Sequence, residues 1–242
     1  DAGVVIPLAL ADGNHQDHGR PHRLPDGSAD RNKWLTPNEK RKLLALEREA
    51  AHRKSFRKRG EPTSRRLQNT YDQIRRLHAK AKRRAEDWQH QTTTTLARTY
   101  STVAVEDLDI TNMTRSAKGT VDNPGTNVAQ KAGLNRSILQ ESWGRMRRML
   151  AYKLERHGGT LAAIPARHTS QRCHACGFIA PGNRESQALF VCKNHECGWT
   201  GNADFNAARN ILHLYRTGHA LVPAAGSATV RRTRGVKPTT AR

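Results

Sequence analysis

The chain has 242 residues, with 42 Lys and Arg against 21 Asp and Glu, a formal net charge of +21. An imbalance of this size repels itself without a polyanionic partner, so nucleic acid is the expected partner class while the activity stays open. Aromatic residues are only 5% of the chain, which argues against a surface built chiefly on base stacking, and no apolar run approaches the roughly 20 residues that span a bilayer.

Taken in order, residues 1–13 read as strand, turn and strand, closing on the hairpin signal Asp12-Gly13, with Pro7 at the start of the second strand. The apolar piece at 4–11 is short and has no basic segment before it, so it is not a signal peptide. The chain opens on Asp1 without a methionine, and a fragment lacking its N-terminal part is expected. Residues 14–32 suit a third strand and a polar loop, in which His15, His18 and His22 form no recognisable ligand pattern. Thr36-Pro37, with Glu39 in the first turn, predicts a helix to about Arg59, where Gly60-Glu61-Pro62 breaks it. Thr63 or Ser64 caps a second helix extending toward Tyr100, with Leu67, Tyr71, Ile74, Leu77, Ala81 and Trp88 as its apolar stripe. The remaining faces of this part, residues 33–100, are rich in Arg and Lys with too few acids to balance them, which suits contact with phosphates.

Residues 101–108 form a β-branched run read as a central strand. Glu106 stands at its carboxyl end, where ligands of α/β sheets collect, with Asp107 and Asp109 as rivals for its role. Residues 111–133 read as a polar, flexible loop. Residues 137–157 read as one amphipathic helix (Ile138, Leu139, Trp143, Met146, Leu150, Leu154) ended by Gly158-Gly159, and 160–165 as a strand.

Two cysteine knuckles follow, Cys173-x2-Cys176 and Cys192-x4-Cys197, fifteen residues apart. Four thiolates at this spacing fit one tetrahedral Zn²⁺, since each short loop turns both sulfurs toward one centre. A pair of disulfides is the alternative, but nothing in the chain looks secreted, and thiols held for zinc suit a reducing cytosol. Beyond the second knuckle Asn202 is placed to cap a last helix. On it Asp204 shares a face with Ala208, Ile211 and Tyr215, which turns its carboxylate inward and calls for a partner such as a metal ion. The Ala-, Thr- and Arg-rich tail from His219 onward reads as disordered.

Three carboxylates thus occupy landmarks: Asp1 on a first strand, Glu106 ending a later one and Asp204 opening the last helix. Two-metal hydrolysis of a phosphodiester needs acidic oxygens converging on ions about 3.5–4 Å apart. Hard oxygen ligands favour Mg²⁺ or Mn²⁺ there. Spacing alone does not bring the three acids together.

The motifs D-x-G opening a hairpin, V-A-V-E-D-L, G-L-N-R-S-I-L, T-S-Q-x-C-x-x-C-G and C-G-W-x-x-x-x-D-x-N-A-A-R-N-I resemble the TnpB (OrfB) proteins of bacterial and archaeal insertion sequences, which are similar to compact type V CRISPR effectors. The resemblance implies an α/β, RNase H-like (RuvC) fold: a mixed sheet with a helical insertion and an inserted four-cysteine zinc ribbon. Residues 1–168 would be the first part of the nuclease domain with the insertion at about 33–100, then the ribbon at 169–201, the last helix at 202–217 and a basic tail at 218–242. By motif position Asp1, Glu106 and Asp204 would be the catalytic acids, Asp107 a neighbour, and Cys173, Cys176, Cys192 and Cys197 the zinc ligands. In that family a guide RNA pairs with target DNA and the RuvC site cuts both strands. The basic helices would hold heteroduplex or guide backbone and the ribbon would help position DNA. A prokaryotic, nucleoid-associated cytoplasmic location is implied.

The N-terminal wedge and recognition part of family members has no counterpart before Asp1, so the chain alone is expected to be a poor guided nuclease. Competing readings are a catalytically inert RNA-guided DNA binder and a bare zinc-ribbon binder, acting as repressor or transposition accessory. Retention of all three acids favours the nuclease. The chain shows no tyrosine or DDE transposase pattern.

Overall fold

A computed structural model describes residues 1–219 except 22, 26–29, 31 and 59; His22 and the tail beyond 219 lie outside the described residues. The chain opens with a reversal in which Asp1 and Ala9 exchange backbone hydrogen bonds, both at 2.9 Å. Strand β1 (Leu8–Ala9) then pairs antiparallel with β2 (His15–Gln16). In the turn between them Gly13, at φ +93°, donates to the Leu10 carbonyl, a backbone conformation that glycine adopts without strain. The Asp12-Gly13 signal therefore marks a real turn, which leads into the third expected strand, whereas the expected first strand does not form: residues 1–7, Asp1 among them, lie outside any strand, so β1 is the first.

Helix α1 (Pro37–Ser55) starts as expected: the Thr36 hydroxyl accepts from Glu39 N and the Glu39 carboxylate accepts from Thr36 N, a reciprocal cap. It stops at Ser55 instead of Arg59. The following turn is closed by Glu61, which accepts from Arg57 Nε and Lys58 N. Helix α2 (Arg65–Thr99), capped by Ser64, has 35 residues and is thus about 50 Å long. Its expected stripe is only partly the buried face. Leu67 is buried, whereas Tyr71, Ile74, Leu77, Ala81 and Trp88 are half-buried, because one antiparallel neighbour, α1, covers only a strip. The C-terminal half instead buries Ala85, Gln89, Thr92, Thr93, Leu96 and Ala97.

Strand β3 (Thr102–Glu106) runs parallel to β4 (Thr160–Ile164), with Glu106 opposite Ile164. A Cβ on Gly159 would stand 2.6 Å from the Ser101 carbonyl oxygen, so only glycine lets the chain enter β4 this close to β3. Between the two strands lie α3 (Ile110–Met113), α4 (Val128–Glu141) and α5 (Trp143–Arg156). Two expectations fail here. The supposed loop at 111–133 contains part of α3 and the start of α4, held by Lys131 Nζ on the Met113 carbonyl and Asn135 Nδ2 on that of Thr114. The supposed single helix at 137–157 is broken at Ser142, φ +54°. The break lets Glu141 turn to Lys33 while Met146, Leu150 and Leu154 of α5 are buried on another side, where α5 packs against α2 and β4. Lys153, buried in that packing, donates to the His90 carbonyl and to the hydroxyls of Thr93 and Thr94, and burial lowers its pKa.

Hairpin β5 (Leu189–Val191) and β6 (Thr200–Asn202) precedes α6 (Ala203–Arg216), which packs on β3 and β4. The architecture is mixed α/β. Among the described residues the strands form three separate pairs rather than one extended sheet. A groove of about 310 Å³ is lined by Leu8–Asp12 on one side and Thr102–Val105 on the other, and β1 does not pair with β3 among the described residues.

Candidate active site and metal centre

The carboxyl end of β3, the first turn of α6 and the start of the chain meet. A Cβ on Gly3 would stand 3.7 Å from Asp204 Oδ2, and Asp1 and Glu106 line one cavity. The backbone nitrogen of Asp1 lies close to the carboxylates of both Glu106 and Asp204. Asp204 is only 3% exposed, as are its helix-face neighbours Ala208 at 4% and Ile211 at 2%, so its carboxylate does point inward. Asn202 caps the helix by accepting from the backbone N of Asp204 and of Phe205.

Two of the three acids are partly compensated. Arg184 Nη2 donates to Asp204 Oδ1 at 2.8 Å, and the Thr169 hydroxyl donates to Glu106 Oε1. Glu106 Oε2, Asp204 Oδ2 and both Asp1 carboxylate oxygens accept no hydrogen bond among the described residues. An inward carboxylate with a free oxygen beside two others suits a cation. The three acids do not close into one tight cluster: among the described residues, only the four cysteines form a group of His, Cys, Asp or Glu side chains whose ligand atoms all lie within 4.8 Å of one another. The rival acids are engaged elsewhere. Asp107 pairs with Arg147, and Asp109 caps α3 by accepting from Asn112 N at 3.0 Å.

Four residues of this region escaped the sequence reading. Thr169 and Arg184 hold the acids, and Asn206 and Asn210 hold the segment that carries Thr169. Asn206 Nδ2 donates to the Arg172 carbonyl at 2.8 Å and its Oδ1 accepts from His174 N, while Asn210 Nδ2 donates to the carbonyls of Thr169 and Arg172. Both asparagines are fully buried. Their spacing of four in D-x-N-A-A-R-N was the available signal, placing two amides on one helical face, roughly opposite that of Asp204.

The cysteines are all free thiols. Cys173 Sγ lies 3.9 Å from Cys197 Sγ, and Cys176 Sγ 3.6 Å from Cys192 Sγ. These separations are far too long for a disulfide. They suit the tetrahedron of sulfurs around an ion at about 2.3 Å from each. The knuckles are shaped by backbone bonds: Gly177 N to the Cys173 carbonyl, Cys173 N to that of Phe178, and Gly198 N to that of Asn194. The Phe178 backbone N–H pulls the Cys176 thiol down to about 7, whereas burial pushes Cys192 up to about 12. Phe190, Ala203 and Trp199 pack against the cysteines. The cluster can hold a metal ion of zinc type.

Of the scattered histidines, His15 contacts the Phe205 ring at 6.5 Å and His18 is packed between Trp34 and Trp88. Neither joins a metal-ligand group among the described residues. His18 Nε2 lies 3.2 Å from Lys33 Nζ, which is paired with the buried Glu141.

Residues 28–117 match the family model described as "Probable transposase" of the OrfB type, and residues 143–211 match "Cas12f1-like, TNB domain". The chain is 39% identical over 222 residues, 92% of its length, to "Putative RNA-guided DNA endonuclease InsQ" of Escherichia coli (strain K12), covering 49% of that protein. Over 66 residues, 27% of the chain and 15% of the relative, it is 47% identical to "CRISPR-associated endodeoxyribonuclease Cas12f1" of Sulfoacidibacillus thermotolerans. A solved structure, "Cryo-EM structure of CRISPR-Cas12f Ternary Complex", aligns with a TM-score of 0.44 at 20% identity, over 72% of this chain and 32% of that one. The chain spans about half the length of the first of these relatives and less of the others. With two family models matched in tandem and a likeness to InsQ along nearly its whole length, the chain is similar to the TnpB/OrfB proteins that its motifs resemble.

Proposed function

We propose that the chain is the nuclease part of an RNA-guided DNA endonuclease with RNase H-like (RuvC) architecture, in which Asp1, Glu106 and Asp204 hold Mg²⁺ or Mn²⁺. The observation that supports this reading is the buried Asp204 carboxylate, beside the start of the chain, with one oxygen that accepts no hydrogen bond among the described residues. When bound, a pair of hard divalent ions would supply an activated water and stabilise charge on the leaving 3′ oxygen. The chain's own residues position that chemistry. Thr169 orients Glu106 through its hydroxyl, and Arg184 neutralises Asp204 from the ribbon side until cations do so. Cys173, Cys176, Cys192 and Cys197 would hold a structural Zn²⁺ that keeps the ribbon, residues 169–201, rigid against α6. Lys- and Arg-rich faces of α1 and α2 would meet nucleic-acid phosphates, with guide RNA and target DNA as the partners and base pairing reading the sequence.

The test is cleavage of a matched plasmid in Mg²⁺ by the protein expressed from its complete reading frame together with its RNA. Cleavage that Glu106→Gln abolishes supports the reading. Guided binding without cleavage would replace it with the inert-binder reading.

A further inference from the structure

Between His52 and Arg66, at the tip of the α1–α2 hairpin, seven Lys and Arg stand against one acid, Glu61. The Glu61 carboxylate is itself engaged by the Lys58 backbone N–H. Phe56 ends α1 here with 73% of its surface exposed, and the His52 ring, one turn earlier, meets it edge-on at 4.9 Å. A lone exposed apolar side chain is ordinary, but this ring stands among Lys54, Arg57 and Lys58, all exposed. An apolar protein face laid on it would strip water from those cations, whereas a polyanion that carries rings would pair with them. From the tip a stripe runs along α2. Arg66, Asn69, Gln73, Arg76, Lys80 and Arg83 recur at alternating steps of three and four, which puts them on one helical face, and all six are exposed. A basic helical surface is usually only solvated and balanced by acids on the same helix. On α2 the acids Asp72 and Glu86 do pair with Arg75 and Arg145, but the stripe holds none. Of its six side chains only Lys80 has a partner among the described residues, Glu39. Lys42 of α1 joins the stripe, and with Gln73, Arg76, Lys80 and Arg83 it lines a cleft of about 440 Å³.

We propose that this flank of the hairpin binds one single-stranded segment of RNA, its phosphates along the stripe and one unstacked base on Phe56. The chemistry of the stripe favours RNA over DNA. A phosphodiester offers only acceptors, which Arg and Lys satisfy. Asn69 and Gln73 carry acceptor oxygens as well as donors, and the group on a nucleic-acid backbone that both donates and accepts is the 2′-hydroxyl. Sequence-tolerant aromatic stacking beside a cationic track is the usual way a single strand is held. The tip is also the end of α2 remote from β3 and Glu106, so the segment held there is not the one being cut. The inference rests on the RNA-guided reading for the source of the RNA and deepens it, by giving that RNA a place on this chain.

The test measures binding and needs no cleavage. Arg66 to Arg83 spans about 26 Å of helix, the length of roughly eight nucleotides at about 3.4 Å each. Protein expressed from the complete reading frame and freed of nucleic acid is therefore titrated with a slightly longer single-stranded RNA, carrying 2-aminopurine at successive positions, and with DNA of the same sequence. Every substituted residue is exposed, so the variants keep the fold, and a melting temperature checks this. Phe56→Ala should weaken RNA binding roughly fivefold or more, the lower range for one stacked base, and abolish a fluorescence change confined to one or two positions. It should leave the salt dependence unchanged. Arg76→Ala with Arg83→Ala should instead lower the slope of log affinity against log salt by about 1.4, for two phosphates at about 0.7 each. Asn69→Ala with Gln73→Ala should bring the affinity for RNA down toward that for DNA. DNA bound by the wild type as tightly as RNA overturns the proposal, as does fluorescence that is independent of position. Variants that bind like the wild type, beside guided cleavage that Glu106→Gln still abolishes, overturn this surface and leave the nuclease reading standing. RNA binding that the variants weaken as stated, in a protein that never cleaves, sustains the surface and overturns the nuclease.

Discussion

Asn210 donates its side-chain amide to the carbonyl oxygen of Thr169 at 2.9 Å, tying α6 to the residue whose hydroxyl holds Glu106. The same amide reaches the Arg172 carbonyl, one residue before the first cysteine. Asn210→Ala leaves the buried Thr169 carbonyl without this donor, while the Arg172 carbonyl keeps Asn206 Nδ2, and one such loss costs about 1–3 kcal/mol. Chemical denaturation should show a loss in that range. Guided cleavage should fall by more than the loss of folded protein explains, since Glu106 loses its support. A variant with unchanged stability and rate would contradict this role.

Lys33 and Glu141 form an ion pair with both side chains at 2% exposure or less, joined across the break at Ser142. Removing one partner strands the other charge, at about 3–5 kcal/mol, while replacing both with apolar residues is far milder. Glu141→Leu should therefore be strongly destabilising, and Lys33→Met with Glu141→Leu should recover most of the loss. Additive destabilisation in a double-mutant cycle would show that the pair does not act as a unit.

Glu39 joins α1 to α2. The Arg84 guanidinium first, then Lys80 and the Thr36 backbone N–H, hold its carboxyl well below the ordinary value of 4.5. A lowered folded pKa means stability that is fully present above the unfolded value and lost as pH falls through the folded one. Glu39→Gln should thus cost about 1 kcal/mol at neutral pH, a modest figure because the group lies near the surface. The difference from wild type should shrink as pH drops below 4.5. A difference constant from neutral to acid pH would contradict the assignment.

The sulfur separations predict one zinc per chain. Elemental analysis of protein purified under reducing conditions should find it, and Cys192→Ser should lose it together with the compact ribbon, seen as protease cleavage within 169–201. Protein with no zinc and two disulfides would refute the metal site.

Local signals were legible where they closed within a few residues. The Thr36–Glu39 cap, the turn glycine at 13, the cysteine knuckles and the Asn202 cap all appear where the residues place them. The inward turn of Asp204 followed from a helical stripe of apolar neighbours, and its burial agrees. Partners far apart in sequence were not legible. Nothing around Glu141 announces Lys33, 108 positions earlier, and so the break at Ser142 was invisible. The start of α4 carries no capping side chain: Asn127 is left-handed at φ +52° without a side-chain cap, and tertiary bonds from Lys131 and Asn135 order what reads as a loop. Polar residues deep in α2, Gln89, Thr92 and Thr93, likewise hide a buried face from any count of apolar positions.

The central claim is that Asp1, Glu106 and Asp204 act together on a phosphodiester. The most direct measurement is guided cleavage in Mg²⁺ by the complete protein with its RNA, beside Asp204→Asn and Glu106→Gln. Melting temperature and target binding should be measured on the same preparations. The account predicts that both variants bind target and stay folded yet lose cleavage by a factor of about 10³ or more, as expected when the charge-stabilising groups of a site are removed. Cleavage at wild-type rate by either variant would contradict it.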